Sequence, residues 1–463
     1  MSIKYEVKKV MNANLLLTTD TAKRLYNESV RDLPIIDWHN HLSVSDIFED
    51  RQFPNICELW ISKDPYKHRA MRICGVDEHY ITGSASDYDK FIKWSETLPR
   101  LIGNPLYTWS HMELSKVFGT DEPLNAETAP KIWSKTEKML SDGEITNNKI
   151  LGMFNIEYSS PCRSAEDDVS AFKNYTDLAP SLRGDSLIYP TAEYIAKLSK
   201  SFGMEIGCMD GYIAAVKSAL VRFSEVGCRI ADHALDDGFT YFTDDGKNTL
   251  RFDAVLSGKE LEIEDKMRLA SHLLLTAAAE YSKLGWTMLL HIGAHRRTSD
   301  RLLEISGPAG GYAAIGTSFD VSGIITLLND IEKTDGGLPK VILIPLNASD
   351  SPALAAISGS FSKSGVNSVI SQGPAWWWCD HAHGIRTVLE NVNAYGVLSE
   401  FIGMTTDSRS ILSFVRHDYF RRVLCSFIGE KVKSGEMPDD FELLKETAIK
   451  ISYTNAKNAV NIK

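Results

Sequence analysis

The stretch Ile35-Ile-Asp-Trp-His-Asn-His-Leu42 decides how the rest of the chain is organised. Its apolar pair, Ile35 and Ile36, can bury a β-strand in a core. Because side chains two residues apart on a strand point to the same side, His39 and His41 direct two imidazole rings at one point. Such a strand is typical of a metal site at the mouth of a β-barrel. The signal becomes specific if a carboxylate and a third imidazole follow other strands.

The composition is that of an ordinary globular protein, with 43% hydrophobic and 24% charged residues. A length of 463 residues suits two ordinary domains or one large α/β barrel with insertions. The net charge of −11 argues against a nucleic-acid partner. A local cluster of arginines could still bind a small anion. The oligomeric state is left open, and a homo-oligomer is compatible with the sequence.

The cysteines and the N-terminus predict a cytoplasmic location. The cysteine count is seven, which is odd, and no Cys-x-x-Cys occurs, as expected for reduced intracellular thiols. Met1–Val10 is charged and lacks the apolar core of a signal peptide. No apolar run approaches the length of a membrane span, so we expect no membrane partner.

Eight short apolar segments alternate with helical stretches, which predicts a (β/α)8 barrel. Two of them are nearly continuous apolar runs, as a strand buried on both faces requires. The predicted strands are Ile35–His39, Phe154–Ser159, Asp177–Leu182, Cys228–Asp232, Thr287–His291, Val341–Leu346, Ser368–Gln372 and Phe401–Thr406.

The domain organisation follows from these strands. Residues 1–34 are predicted as an N-terminal helical segment capped by Thr19 or Asp20, and residues 35–42 as the first barrel strand. Residues 43–150 hold no convincing strand and are predicted as a helical insertion, and residues 151–463 as the rest of the barrel. Val432–Lys463 is predicted as a closing helix.

Polar side chains follow several predicted strands, where a barrel holds its catalytic groups. Two imidazoles and a carboxylate suit Zn²⁺ or a similar divalent ion, so we predict that His39, His41 and Asp407 bind it. His291 is open to two roles, as a fourth ligand or as a free acid or base. The competing explanation for Asp232 or any other polar residue at a strand end is a structural hydrogen bond.

Three arginines, Arg183, Arg296 and Arg409, come just after strand ends. A guanidinium group is a planar fork that matches a carboxylate or phosphate. Three of them near one metal predict an anionic substrate. For any single arginine, an ordinary surface ion pair is the competing explanation.

Two further stretches are expected near the mouth of the barrel. In Trp376-Trp377-Trp378, strand-like alternation would put Trp376 and Trp378 on one side and Trp377 on the other. At least one of these rings should line a pocket, and Trp377 is the candidate. Ser306-Gly-Pro-Ala-Gly-Gly311 matches no phosphate-binding fingerprint and is predicted as a flexible loop over the mouth.

Taken together, these motifs resemble those of uronate isomerase (glucuronate isomerase), a family of the amidohydrolase superfamily. The resemblance covers nearly the whole chain. It is carried by Asp37–Leu42, Tyr66–Arg72, Ile102–Tyr107, Ser181–Arg183, Ala231–Leu235, Leu290–Ala294 with Arg296, Trp376–Trp378, Thr406–Arg409 and Arg416–Leu424.

The resemblance implies reversible isomerisation of D-glucuronate to D-fructuronate and of D-galacturonate to D-tagaturonate. It also implies one zinc ion at His39, His41 and Asp407, and a substrate-contacting tyrosine at Tyr66. We predict as catalytic residues Asp407, His291, Tyr66 and Arg409, and as substrate-binding residues Arg183, Arg296, Asp232 and Trp377.

The chemistry of the reaction agrees with these residue types. Isomerisation moves a proton between C2 and C1 through an enediol, which needs a base, an acid and a group that stabilises negative charge on oxygen. Asp407, Tyr66 and His291 are all candidates for the base. Asp407 cannot easily be a tight metal ligand and a strong base at once.

This chain departs from the family pattern at several positions. Pro65 stands where a histidine commonly precedes Tyr66, and Ser160-Pro-Cys162 replaces a Thr-Thr-Asp-Asp-Pro run. Because a proline cannot transfer a proton, a binding protein without catalysis is one alternative. The other is a metal-dependent hydrolase of the same superfamily, which is disfavoured because the sixth predicted strand runs into Asn347 rather than into a histidine.

Overall fold

A parallel sheet curls through the computed structural model, which describes residues 12–460, and helices pack against its outer face. Seven strands form this sheet in the order β1-β2-β3-β4-β5-β8-β9, and β6 and β7 form a separate antiparallel pair. The strands are β1 (Ile35–Asn40), β2 (Ile156–Ser164), β3 (Ser181–Arg183), β4 (Ile230–Leu235), β5 (Thr287–Ile292), β6 (Ala294–His295), β7 (Ala314–Ile315), β8 (Lys340–Pro345) and β9 (Ile370–Gln372).

Helices connect and surround these strands. The α-helices are α1 (Asp20–Leu25), α2 (Val44–Phe48), α3 (Ile56–Trp60), α4 (Pro65–Ile73), α5 (Asp87–Thr97), α6 (Pro105–Phe118), α7 (Ala129–Ser141), α8 (Asn147–Met153), α9 (Asp185–Ile188), α10 (Ala192–Phe202), α11 (Met209–Glu225), α12 (Asn248–Leu256), α13 (Ile263–Lys283), α14 (Asp300–Ser306), α15 (Val321–Glu332), α16 (Ser351–Ile357), α17 (Ala382–Tyr395), α18 (Val415–Ser434), α19 (Phe441–Ile449) and α20 (Asn455–Ala459). Short 3-10 and π-helical turns also occur, at Tyr26–Val30, Glu78–Tyr80, Leu98–Leu101, Ser170–Asn174, Ala348–Asp350, Trp377–Cys379, Leu398–Glu400, Ile411–Phe414 and Lys450–Thr454. None of the described helices combines the length and the hydropathy that a membrane span requires.

The two faces of the sheet pack into two different hydrophobic clusters. Along β5, Met288 and Leu290 join the large cluster that includes the helices, whereas Leu289 joins a smaller cluster with residues of the other strands. This alternation is why the strand is apolar throughout, since both of its faces are buried. His291 lies two residues after Leu289, so the inner face of the sheet ends in an imidazole.

Seven of the eight predicted strand segments overlap a strand of the sheet. The third is shorter than predicted, because regular pairing begins only at Ser181. The eighth prediction, Phe401–Thr406, is wrong as a regular strand. This segment lies beside β1, where the amide of Asp407 donates to the carbonyl of His39 at 3.2 Å. The amide of His39, however, donates to the Thr405 hydroxyl at 2.9 Å, so a side chain replaces a backbone partner.

The chain ends differ in part from prediction. At the start of α1, Thr19 Oγ1 accepts a hydrogen bond from the amide of Ala22 at 3.0 Å, so Thr19 and not Asp20 is the cap. The prediction of a single closing helix over Val432–Lys463 is wrong, because α18 ends at Ser434, is capped by Gly435 in a left-handed conformation, and is followed by the separate helices α19 and α20. Met1–Val10 and residues 461–463 lie outside the described residues.

Residues 43–150 contain helices α2–α7, the beginning of α8 and no strand among these described positions. They separate β1 from β2, which are neighbours in the sheet. The chain therefore leaves the sheet after β1, builds a helical layer and returns to pair beside its starting point. Through α4, this layer supplies one side of the cavity described below.

Candidate active site

The end of β1 brings together the three residues that the sequence predicts as metal ligands. His39 is fully buried, and its Nε2 lies 3.4 Å from Asp407 Oδ1. His41 Nε2 lies 3.0 Å from the same oxygen. The two imidazoles therefore converge on one carboxylate oxygen, as the His-x-His spacing predicts.

His291 completes a group that could hold an ion. One ligand atom each from His39, His291 and Asp407 lies within 4.8 Å of the other two. The atoms His39 Nε2, His291 Nε2 and Asp407 Oδ1 are buried and make no hydrogen bond of acceptable geometry in the described structure, although Nε2 of His39 and of His41 lie close to Asp407 Oδ1. Buried polar atoms without partners are rare, because each is unfavourable by about 1–3 kcal/mol. A divalent ion would satisfy these nitrogen and oxygen donors, so the residues present fit a metal.

Asp232 orients His291 from below. Its Oδ1 lies 2.6 Å from His291 Nδ1, and both side chains are buried. A proton on Nδ1 in this bond leaves the lone pair of Nε2 directed at the site. Burial alone would raise the pKa of Asp232, but His291 and His39 hold it below its usual range. Asp232, which the sequence predicts as a substrate contact, does not line the cavity described below.

Asp37 fixes the position of Asp407 relative to β1. Its buried carboxylate accepts hydrogen bonds from the amide and the hydroxyl of Thr406, at 2.7 and 2.8 Å. His417 Nε2 lies 3.0 Å from Asp37 Oδ1. These bonds tie residues 405–406 to β1, and Asp407 follows with a φ of +46°. Such a backbone conformation is unfavourable for a non-glycine residue and is common at functional sites.

We call this group the floor of the site: His39, His41, Asp232, His291 and Asp407, with Asp37 below them. The sequence patterns do not identify Asp37 and His417 as positioning residues. A carboxylate in the middle of a buried strand was the available signal for Asp37, because a buried charge needs partners. His417 could not be identified as its partner, since the two residues are 380 positions apart.

A cavity of about 250 Å³ opens above the floor. His41 and Asp407 reach its lower side, and Arg183, Arg296 and Arg409 surround it. This places all three predicted arginines around one space. Three positive charges beside an ionised carboxylate suit a substrate that carries its own negative charge.

The three arginines differ in how firmly they are held. Arg183 Nε lies 3.2 Å from Asp185, and Arg296 Nε donates to Asp236 at 2.8 Å. Among residues 12–460, the structure gives Arg409 no hydrogen-bond partner. Burial lowers the pKa of Arg409 and Asp407 opposes this, while the other two arginines lower it further. The cluster therefore holds positive charge that a ligand could neutralise.

Tyr66 enters the cavity from α4. Its hydroxyl donates to Asp380 Oδ2 at 3.2 Å, and Arg416 donates to the same oxygen at 3.1 Å. The Arg416 guanidinium also lies 4.6 Å from the centre of the Tyr66 ring. Burial, followed by the charge of Asp380, raises the pKa of Tyr66 well above its ordinary value. No sequence pattern identifies Asp380 and Arg416 as partners of Tyr66, because the three residues come from segments far apart in the chain.

The three tryptophans do not alternate as predicted. Trp376 is buried, and its indole N–H donates to Asp407 Oδ2. Trp377 and Trp378 both line the cavity, because Trp377–Cys379 forms a 3-10 turn instead of a strand. The prediction that at least one ring lines a pocket is confirmed. The predicted sidedness is wrong.

The loop at 306–313 lies over the cavity, where Pro308, Ala309, Gly311 and Ala313 line it. Gly311 has a φ of +81°, and a Cβ added there would come within 2.2 Å of the Pro65 carbonyl oxygen. The loop can therefore approach α4 this closely only with glycine at that position. We call α4, this loop, Trp377, Trp378 and the three arginines the wall of the site.

A family model described as glucuronate isomerase matches residues 7–460 of the sequence. The chain belongs to the glucuronate isomerase family. The uronate isomerase of Oceanobacillus iheyensis is 40% identical over 463 residues, which cover 97% of this chain and 98% of that protein. The uronate isomerase of Caldanaerobacter subterraneus is 36% identical, covering 98% of this chain and all of that protein.

Solved structures of glucuronate isomerases agree with this fold. The crystal structure of uronate isomerase from Thermotoga maritima superposes with a TM-score of 0.90 at 30% identity, covering 97% of this chain and 99% of that one. The glucuronate isomerase of Caulobacter crescentus gives a TM-score of 0.89 at 22% identity, covering 98% and 97%. At that identity the second comparison supports the fold alone.

The family match does not favour the hydrolase alternative. After β8, Asn347 Oδ1 accepts hydrogen bonds from the amide and hydroxyl of Ser349, at 3.1 and 2.8 Å. Asn347 therefore caps the 3-10 turn Ala348–Asp350. The position where many metal-dependent hydrolases present a histidine thus has a local structural role in this glucuronate isomerase family member.

Proposed function

We propose that the cavity above His39 and His41 isomerises uronate sugars, converting D-glucuronate to D-fructuronate and D-galacturonate to D-tagaturonate. The observation that carries this proposal is the pairing of three cavity-lining arginines with a floor of buried imidazoles and carboxylates. The arginines suit the carboxylate at C6, and the floor suits the polar end where the proton moves.

The carboxylate of the sugar binds the arginine cluster. Arg409 has no hydrogen-bond partner in the described structure, so it can form a bidentate pair without breaking another. Arg183 and Arg296 keep their acidic partners and add positive charge around the same group. Trp377 lies 5.0 Å from the Arg296 guanidinium and gives the sugar an apolar surface. Fixing C6 in this way orients C1 and C2 toward Asp407.

Asp407 and Tyr66 are the groups that exchange protons with the sugar, because both line the cavity. Burial alone would raise the pKa of Asp407, but His39 and His41 hold it well below its ordinary value, so this carboxylate is ionised and can accept a proton, although the lowered pKa makes it a weaker base than a free carboxylate. The raised pKa of Tyr66 keeps its hydroxyl protonated and able to donate. His291 lies behind Trp376, with a ring separation of 4.4 Å, and orients the floor.

The divalent ion is Zn²⁺ or a close relative, held by His39, His41 and Asp407 with His291 nearby. The three unpartnered buried atoms, on His39, His291 and Asp407, support an ion at this position. None of them belongs to His41, whose place among the ligands is supported by the 3.0 Å between its Nε2 and Asp407 Oδ1. When bound, the ion supplies a Lewis acid that stabilises negative charge on a sugar oxygen.

The fold closes as a (β/α)8 barrel, with residues 401–406 as an irregular eighth strand beside β1. The hydrogen bond from the His41 amide to the Ser408 carbonyl, at 2.9 Å, supports this closure. The chain then divides into an N-terminal segment (1–34), the first barrel strand (35–42), the helical insertion (43–150) and the rest of the barrel (151–463). All seven cysteines are unpaired, which supports a reducing compartment such as the cytoplasm.

The test is ketose formation from D-glucuronate and from D-galacturonate, followed by coupled reduction with NADH. The purified protein is supplied in turn with Zn²⁺, Mn²⁺ and Co²⁺. We expect turnover of at least one uronate, and loss of it in Tyr66→Phe. Absence of turnover on both sugars with every ion would contradict the proposal and favour a protein that binds without catalysis.

A further inference from the structure

A second group of possible ligands lies beside the first. One ligand atom each from His39, Cys162 and Asp232 lies within 4.8 Å of the other two. Cys162 is on β2, paired with Ser181 of β3, and its side chain is partly exposed. This differs from Cys57, Cys228 and Cys425, which are buried in the large hydrophobic cluster.

His39 is the residue that the two groups share. It is fully buried, and its Nε2 has no hydrogen-bond partner in the described structure. This atom lies 3.4 Å from Asp407 Oδ1 and 3.8 Å from Asp232 Oδ2. Two ligand atoms of one tetrahedral zinc ion lie about 3.3–3.6 Å apart, given zinc–ligand distances of about 2.0–2.2 Å. Both separations are thus near the value that an ion requires.

Asp232 is prepared for such a role. Its Oδ1 is engaged by His291 at 2.6 Å, whereas Oδ2 faces His39. A carboxylate oriented through one oxygen can bind an ion through the other. Arg183 pairs in the sheet with Ser164, which lies two residues after Cys162 on β2, and it places positive charge on this side of the site.

We propose that this chain offers its divalent ion two alternative positions that share His39, one toward Asp407 and His291 and the other toward Cys162 and Asp232. An imidazole nitrogen has one lone pair, so a single ion occupies one position at a time. Sulfur ligands select thiophilic ions such as Zn²⁺, Co²⁺ and Cd²⁺, whereas Mg²⁺ and Mn²⁺ prefer oxygen. On binding, the Cys162 thiol releases its proton to solvent and the sulfur forms a bond to the ion, with no change of oxidation state.

The first test is the absorption spectrum of the Co²⁺-loaded protein. A thiolate ligand adds a sulfur-to-cobalt charge-transfer band in the near ultraviolet. We expect this band in the wild type and in the control Cys208→Ser, because Cys208 is exposed at the start of α11 and belongs neither to the cavity lining nor to either ligand group. Cys162→Ser should lose the band. A wild type that binds Co²⁺ without the band, or a Cys162→Ser variant that retains it, would overturn the proposal.

The second test needs no variant, so it holds even if Cys162→Ser does not fold. The metal-free wild type is treated with a thiol-reactive disulfide reagent, alone and with Cd²⁺ or Mg²⁺. We expect Cd²⁺ to reduce the number of reactive thiols by one and Mg²⁺ to reduce it by none. Peptide mapping should assign the protected thiol to Cys162, and equal reactivity under all three conditions would contradict the proposal.

The inference rests on the metal site proposed above, but its readouts do not depend on turnover. Uronate isomerisation without the sulfur band would leave the proposed function intact and remove this second position. A sulfur band without isomerisation would support the second position and contradict the proposed function.

Discussion

The floor and the wall of the cavity differ in how their charges are held. Asp232 on the floor and Asp37 below it are buried and form hydrogen bonds with partners from other strands and segments. On the wall, Arg409 has no hydrogen-bond partner among residues 12–460, and the Arg183 side chain is 39% exposed. The floor is therefore rigid before a ligand arrives, whereas the wall keeps charge available for one. The predictions below test this difference.

The largest effect is expected at the floor, from Asp407→Asn. The substitution removes both a candidate ligand and the candidate base, so kcat should fall by about 10²–10⁴-fold, the usual contribution of general acid–base catalysis. Steady-state kinetics with D-glucuronate measure this, and metal analysis of the same sample measures the bound ion. Unchanged kcat with unchanged metal content would remove Asp407 from the chemistry.

On the wall, Arg183→Met should act on binding. Loss of one charge-assisted contact is worth about 1.5–3 kcal/mol, so KM for uronates should rise about 10- to 100-fold with the fold intact. The matched control is Arg301→Met, on exposed α14 outside the cavity, which should leave KM unchanged. If KM is the same in both variants, Arg183 does not contact the sugar carboxylate.

Below the floor, Asp37→Asn should lower stability more than activity. Burial would raise the pKa of Asp37, but the bonds from His417 and Thr406 keep it below its ordinary value. The folded state therefore binds fewer protons at this carboxyl group than the unfolded state does. The carboxylate of Asp37 stabilises the fold fully above the unfolded pKa of about 3.9, and this stabilisation is lost as the pH falls through the folded pKa.

We expect Asp37→Asn to reduce the free energy of unfolding by about 1.5–3 kcal/mol at pH 7. The difference from the wild type should shrink as the pH falls below about 4. Denaturant titrations of both proteins at several pH values measure it. A difference that is constant with pH would mean that the Asp37 charge does not stabilise the floor.

The smallest effect is expected where the loop meets α4. Gly311→Ala combines a φ of +81° with a contact at 2.2 Å to the Pro65 carbonyl, so the loop must move away from α4. We expect a loss of about 1–3 kcal/mol and a several-fold higher KM. Gly203→Ala is the control, because Gly203 also has a positive φ but nothing within 4 Å of an added Cβ. Equal KM values for Gly311→Ala and Gly203→Ala would show that the position of the loop does not affect substrate binding.

The same comparison explains what could be predicted from the sequence. The floor follows from local patterns: the His39 and His41 spacing, the apolar runs of β5 and β8, and single polar residues at strand ends. The arginines of the wall are predicted from their positions just after strand ends, and a pocket-lining tryptophan is predicted from the unusual stretch Trp376–Trp378.

What could not be predicted depends on contacts between distant segments. Asp380 and Arg416 meet Tyr66 only in the folded chain, and Pro65 meets Gly311 across 246 positions. The segment 401–406 has a strand-like sequence, but the amide of His39 on β1 donates to the Thr405 hydroxyl instead of to a backbone carbonyl of this segment. Trp376–Trp378 has no period that distinguishes a strand from a 3-10 turn.

In the proposed mechanism, the wall selects a sugar for its negative charge and the floor then isomerises it. The most direct measurement compares kcat/KM for D-glucuronate with that for D-glucose, which carries CH₂OH in place of the carboxylate. We expect a preference for D-glucuronate of about 10²–10⁴-fold, since the analogue lacks the carboxylate that pairs with the arginines and each lost charge-assisted contact is unfavourable by about 1.5–3 kcal/mol. Comparable kcat/KM values for the two sugars would contradict the claim.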